Sequence, residues 1–224
     1  MTGLHDRASG FPAATPVPGH PLQGSDTLSD VLQAVRLNGA LFFLVNASTP
    51  WLAEAPNSDA LAPVILPRAQ HVVSFHLLTR GACWCRMPGA STFIEAGDVI
   101  VVPHGDEYAL CSDPTLSGGL TLEQTLGWFQ QMATGQLPMI VDEGGGGPER
   151  IGIVCGFLGC DALPFNPVLA ALPRLVHVRP SEAAVDDRLS MLIEFAVAES
   201  RDKQAGGRSV LLRIGELMFV EVIR

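Results

Sequence analysis

Apolar positions recur along this chain with two different periods. From His71 to Val102 they come as short runs broken by turn residues: VVSFHLL, a bend at Arg80-Gly81, ACWCRM, a turn at Pro88-Gly89, TFIEA, then DVIVV. Short β-branched and aromatic runs punctuated by Gly and Pro predict the strands of a β-meander, and their close spacing predicts a sandwich or barrel. Ala40 to Val45 reads as a buried strand ahead of this block and Trp51 to Ala55 as a short one. Tyr108 to Cys111 and Arg150 to Leu158 extend the β pattern beyond it. After Pro180 the period becomes helical: Val185, Leu189, Leu192 and Ala196 share one face, with Ser181 as cap and Gly206-Gly207 as stop. The last segment, RSVLLRIGELMFVEVIR, is helical by composition and apolar nearly all round. Leu211, Ile214, Met218 and Val222 make one face, and Leu212, Phe219 and Ile223 another. A helix with two apolar faces needs two partners, its own domain and something else.

The remaining segments are polar or irregular. Residues 1–25 are rich in Pro, Gly and small residues and have no apolar h-region, so they read as a disordered leader and not a secretory signal. Ser25-Asp26-Thr27 caps a short helix carrying Leu28, Val31, Leu32 and Val35, stopped by Asn38-Gly39. Residues 112–150 break the strand rhythm and read as a loop insertion with a flexible end, holding LEQTLGWFQQM as a candidate helix. Asn166-Pro167 opens a short turn or helix through Leu172. Gly144 to Gly147 is not a phosphate loop, because no Lys-Ser/Thr follows it. The expected organisation is a leader (1–25), a β-barrel (26–180) and a pair of linker helices (181–224), with no internal repeats.

Composition narrows the function classes. The net charge of −9 and pI near 5.0 argue against a grip on a phosphate backbone. No apolar run reaches the roughly 18 residues needed to span a bilayer, so no membrane role is expected. The five cysteines are odd in number, contain no Cys-x-x-Cys pair and follow no signal, which points to a reducing cytoplasm.

One stretch carries a family signature. Gly97-Asp98 opens a strand, four β-branched residues follow, and Pro103-His104-Gly105 ends it. This Gly-(x)5-Pro-x-Gly pattern resembles the second motif of the cupin barrels. Around it, in order, stand Trp51, Phe75-His76 before Gly81-Ala82-Cys83-Trp84, Cys155-Gly156-Phe157, Asn166-Pro167-Val168-Leu169 with Leu172-Pro173, and Arg213-Ile214-x-Glu216-Leu217-Met218-Phe219. Together these resemble the cupin-type regulatory domain of AraC-type transcription regulators over residues 26–224. The resemblance implies a mainly β fold with C-terminal helices: a cupin-like β-barrel (double-stranded β-helix or jelly roll) followed by a helical hairpin. Family members continue into two helix-turn-helix units. This chain ends at Arg224, inside or just after the linker helix, so it is expected to sense or dimerise and to meet DNA only through the missing half.

Candidate chemistry follows from both readings. In metal-binding cupins a His follows the second motif's glycine, where this chain has Tyr108. Of the first motif's ligands only His71 falls in the expected region, and Ser74 stands near the Glu position. A standard cupin metal site is therefore not expected. Cys83 and Cys85 are two apart on one strand and share a face. With Cys155 and His76 they make a thiolate–imidazole set of the kind that suits zinc; the other reading is of small buried hydrophobes. Cys111 is expected to point outward and Cys160 to sit in a turn. His76, Trp84, Tyr108 and Trp51 are candidates for lining a small-molecule pocket, against a reading as core or rim packing. His104 with Asp106-Glu107 reads as a solvated turn and His177 as an alternating strand residue.

Leu189, Leu192, Leu211, Ile214, Met218 and Val222 are the candidate homodimer face, unless that face packs on a DNA-binding half. The leading expectation is a non-enzymatic effector-sensing and dimerising domain. The alternatives are a small cupin metalloenzyme of dioxygenase or isomerase type and a purely structural dimerisation module with a filled barrel.

Overall fold

The computed structural model describes residues 37–161, 171–179, 187–202 and 206–223. The expected leader, the helix after Thr27 and the turn at Asn166-Pro167 lie outside the described residues. Ten strands, β1 Leu37–Ser48, β2 Leu52–Ala55, β3 His71–Arg80, β4 Ala82–Met87, β5 Ala90–Glu95, β6 Val99–Val102, β7 Tyr108–Cys111, β8 Ile140–Gly144, β9 Arg150–Cys160 and β10 Val176–Val178, form two sheets. One has six strands in the order β10-β6-β3-β9-β1-β8 and the other four in the order β2-β7-β4-β5. Four helices complete the described chain: α1 Ser58–Ile65, α2 Leu122–Ala133, α3 Asp187–Asp202 and α4 Gly207–Ile223. The fold is cupin-like, with two facing sheets and no single closed ring of strands.

The block from His71 to Val102 is not the simple meander its spacing suggests. Only β4 and β5 pair as neighbours within it. β3 instead pairs with β6 and β9, and β4 with β7 across the other sheet. The chain changes sheets between β3 and β4 at Gly81, whose φ of +75° and tight fit beneath the Arg150 carbonyl exclude any side chain. Crossing between sheets at such corners is what makes a jelly roll out of short strands.

The six-stranded sheet is apolar on both faces. Along β3, β6 and β9 the side chains of Val72, Ile100, Val102, Ile153 and Phe157 enter the space between the sheets. The alternating Val73, Phe75, Val101, Val154 and Leu158 face the other way and form a second core with α3 and α4. This double burial explains why VVSFHLL has no polar alternation. α4 seats Ile214, Met218 and Phe219 in that second core. Gly215 lets the helix lie directly on the Phe42 ring, where a Cβ would collide. Beneath it Gly156 makes room for Phe42 and Phe75, whose ring centroids are 5.8 Å apart.

Ile214 and Met218 therefore cover the chain's own sheet and cannot form a dimer seam while α4 is docked. Leu192 and Leu211 pack beside them partly buried. The side chains of Leu189 and Val222 lie outside the described residues. Among the described side chains of these helices, the large apolar ones left exposed are Met191 and Phe195 on α3 and Leu217 on α4.

Residues 112–150, expected as a loop insertion with a flexible end and a candidate helix at LEQTLGWFQQM, contain that helix as α2 and also the parallel partner of β1, β8. α2 begins with a capping box between Thr121 and Gln124. α1, which the sequence pattern did not suggest, starts at Asn57 with its side chain accepting from the Ala60 amide. It fills the interior near the start of β3 with Leu61, Ala62 and Ile65, and Ser58 Oγ accepts from the Val72 amide.

A methyl group at Gly156 has nowhere to go, because the Phe75 ring it meets is itself fully buried. Gly156→Ala is expected to destabilise the domain by about 1–3 kcal/mol. Pairing it with Phe75→Leu should cost less than the two single changes summed. Urea unfolding of the four proteins measures this, and strict additivity would contradict the contact.

Candidate functional site

Between the sheets, around His76, the interior opens into a cavity of about 420 Å³. β1 contributes Phe43 and Val45, and β9 contributes Ile153, Cys155 and Phe157. The far wall is Tyr108 and Leu110 of β7 with Trp51 just before β2. α2 closes one side with Thr125, Trp128 and Phe129. The aromatic rings are packed against one another: Phe43 stacks on Phe157 at 5.8 Å, Phe129 meets Phe157 edge-on at 5.3 Å, and Trp128 meets Phe43 at 5.2 Å. Residues 116–120 and Glu143 complete the rim.

The polar groups at the floor are few and uncharged. His76 Nε2 lies 2.5 Å from the Tyr108 hydroxyl. Burial pushes the His76 pKa down to about 3 and the Tyr108 phenol well above its usual value. Both stay neutral at physiological pH. His76 Nδ1 and Trp51 Nε1 are buried with no hydrogen-bond partner among the described residues. Such unsatisfied buried groups are rare in folded proteins and mark places that need an explanation.

Of the four residues expected to line a pocket, the fold brings Trp51, His76 and Tyr108 together in the cavity wall. Trp84 is not there. Cys83 and Cys85 take the inner face of β4, so the residue between them points outward, where its ring lies 5.0 Å from Phe93 on the next strand. Cys155 is inward as expected and is the register partner of His76. Cys111 is buried, outside the inner core, with its Sγ directed at the Trp84 carbonyl. Cys160 is the buried last residue of β9, in the second core and not in a turn.

The expected zinc set does not assemble. Among the described residues no three His, Cys, Asp or Glu side chains converge on a point that could hold a metal ion. His76 Nε2 is engaged with Tyr108. Burial raises the thiol pKa values of Cys83 and Cys155 and pushes that of Cys85 up to about 12, so these side chains are neutral thiols in the folded chain. His71 is also spent, its Nε2 2.8 Å from the Pro103 carbonyl. His104 and Asp106 pin the returning segment through the Leu172 carbonyl and Arg174, and His177 pairs with Asp98 at 2.8 Å.

The sequence reading missed Phe43, Trp128, Phe129 and Phe157, which make most of the aromatic wall. The signal for Phe129 was present. Thr121-x-x-Gln124 is a capping box, and it sets Thr125, Phe129 and Met132 on the buried face of α2.

Comparison with known proteins supplies the family. A family model described as Cupin matches residues 26–224, the span over which the sequence resembles the AraC-type cupin domain, and bears that resemblance out. No curated protein matches the chain. Among solved structures the chain is similar to an apo variant of ToxT from Vibrio cholerae strain SCE256, at 10% identity over 82% of this chain and 54% of that one, with a TM-score of 0.38. It is similar also to unsaturated fatty acid bound wild-type ToxT from the same strain, at 11% identity over 83% and 53%, with a TM-score of 0.37. The chain thus spans about half the length of the structures it matches. No helix among the described residues is long and apolar enough to cross a membrane.

The buried neutral His76 makes stability pH-dependent. Unfolded, the imidazole binds a proton below about 6.5; folded, it resists protonation down to about 3. Its contribution is therefore complete above pH 6.5 and is lost progressively as pH falls towards 3. The loss should reach about 2 kcal/mol by about pH 5. His71, also shifted down by burial, acts with the same sign. Urea unfolding at neutral pH and about pH 5 should show this loss in the native protein and a smaller one in His76→Gln. Equal losses would contradict it.

Proposed function

The chain belongs to the cupin family, and on that premise we propose that it is the ligand-sensing regulatory domain of an AraC-type transcription regulator. The observation that carries this reading is the cavity itself: about 420 Å³, walled by aromatic and aliphatic side chains, with a few neutral polar groups at its floor. Sites for small molecules have this character. A structural module would fill the same space with its own side chains. A cupin metalloenzyme would need a ligand set that the described residues do not assemble.

The path from ligand to output runs through the six-stranded sheet. Phe43, Cys155 and Phe157 touch the cavity, while their chain neighbours Phe42, Val154 and Leu158 support α3 and α4. A ligand that favours one strand arrangement over another would shift the docking of these helices, in proportion to its difference in affinity for the two states. In AraC-type regulators DNA is contacted by helix-turn-helix units; we assign this chain the sensing part. We also propose a homodimer through the C-terminal helices, now through Met191 and Phe195, an i, i+4 pair on exposed α3, with Leu217 of α4. Five free cysteines suit a cytoplasmic location.

A thermal-shift screen of small apolar molecules tests the sensor. A ligand at about 100 times its Kd should raise Tm by about 5–10 °C. Cys155→Leu, which fills part of the cavity, should abolish the shift while the variant still unfolds cooperatively. Ligands whose effect survives this change would contradict the site. Sedimentation of Met191→Glu/Phe195→Glu should show monomers where the native chain shows dimers.

A further inference from the structure

The lining of the cavity has a sign. Among the described residues that form it none is Lys or Arg, and its interior His76 and Tyr108 are held neutral. Glu54 and Glu143 stand at the rim. Glu54 is matched across the sheet by Arg86 at 3.9 Å, whose guanidinium also donates to the carbonyls of Pro114 and Leu116. Glu143 has no ion-pair partner among the described residues.

The placement of Glu143 is unusual. In the parallel pairing of β1 with β8, Val45 stands opposite Val141 and Ala47 opposite Glu143. Val45 and Ala47 belong to the inner core, and Val141 packs against it. Glu143 follows that row and lines the cavity, whereas Asp142 turns the other way to meet Asn46. A carboxylate thus continues the row that forms the cavity wall, at the exposed end of β8. Glu143 is an exposed residue whose pKa is raised by partial desolvation against the wall, and a cation beside it would offset that cost. The rest of the wall is a set of π faces, Trp51, Trp128, Phe43 and Phe129 among them, which attract positive charge. A carboxylate ligand would meet one carboxylate and no cation.

We propose that the effector is an apolar ammonium, its hydrocarbon body held among the aromatic side chains of the cavity and its positive head beside Glu143. This deepens the sensor reading and rests on it. The competing account of Glu143 is that β8 is an edge strand, and an inward charge on an edge discourages pairing with other chains. That role predicts an effect on aggregation and none on ligand choice.

The test is calorimetric titration of the full chain with octyltrimethylammonium, 1-octanol and octanoate, all below micelle-forming concentrations. The ammonium is expected to bind at least about tenfold more tightly than octanoate, about 1.4 kcal/mol, and more tightly than octanol. Glu143→Gln should remove its advantage over octanol and leave octanol affinity unchanged. Glu95→Gln, which removes the same charge from an exposed site on β5, should keep the advantage and so separate a local contact from the general pull of a chain of charge −9. Octanoate binding as tightly as the ammonium, or an advantage that survives Glu143→Gln, would overturn the inference and leave the sensor reading standing. If none of the three binds, both fall.

Discussion

The structure depends on one sheet that is dry on both sides. β1, β3, β6 and β9 place alternate residues into two separate apolar cores, one between the sheets and one under α3 and α4. Burying a large apolar side chain contributes about 1.5–3 kcal/mol, and here nearly every residue of the central strands is buried. The helices are held by the same requirement. Without α3 and α4 the row Val73, Phe75, Val101, Val154 and Leu158 would face water as a large apolar surface. Glycine sets how closely the layers approach, with Gly215 on Phe42 and Gly156 under Phe42 and Phe75.

The other core is not completely filled. α1 occupies the interior near the start of β3, but further along the strand the rings of Phe43, Phe129 and Phe157 enclose space instead of closing it. His76 is the residue most affected. It sits among apolar groups with one nitrogen bonded to Tyr108 and the other without a partner among the described residues. A leucine there would avoid that cost. Its presence fits a cavity in which a neutral hydrogen-bonding group is useful, and it ties the polar floor to β9 through its register partner Cys155.

Much of this was legible in the sequence. Strand residues at period two and the Gly97 to Gly105 motif identified the cupin-like β fold, though not its two separate sheets, because sheet corners and β-branched runs are local signals. The inward pair Cys83 and Cys85 followed from alternation alone, and the same alternation should have turned Trp84 outward. Pairing was not legible: β3 joins β9, some eighty residues on, through contacts no local pattern records. The dimer face was misread for a related reason. Periodicity showed that α4 has apolar faces, but not that Ile214 and Met218 face a sheet already apolar on that side. α1 is hidden by Pro63 within it, and the site's aromatic wall is hidden because the candidate helix LEQTLGWFQQM carries no local sign that it packs over the cavity.

The central claim is that filling the cavity on one face of the sheet is felt by the helices on the other. Xenon enters dry apolar cavities, and three methionines report on the path. Met132 lies in the inner core on the face of α2 that carries Phe129, Met218 is fully buried on the sheet-facing side of α4, and Met191 is exposed on α3. Methyl NMR spectra of ¹³C-methionine-labelled protein under rising xenon pressure should show saturable shifts for Met132 and Met218 with the same midpoint, and none for Met191. A saturating shift at Met132 with Met218 unmoved would contradict transmission through the sheet.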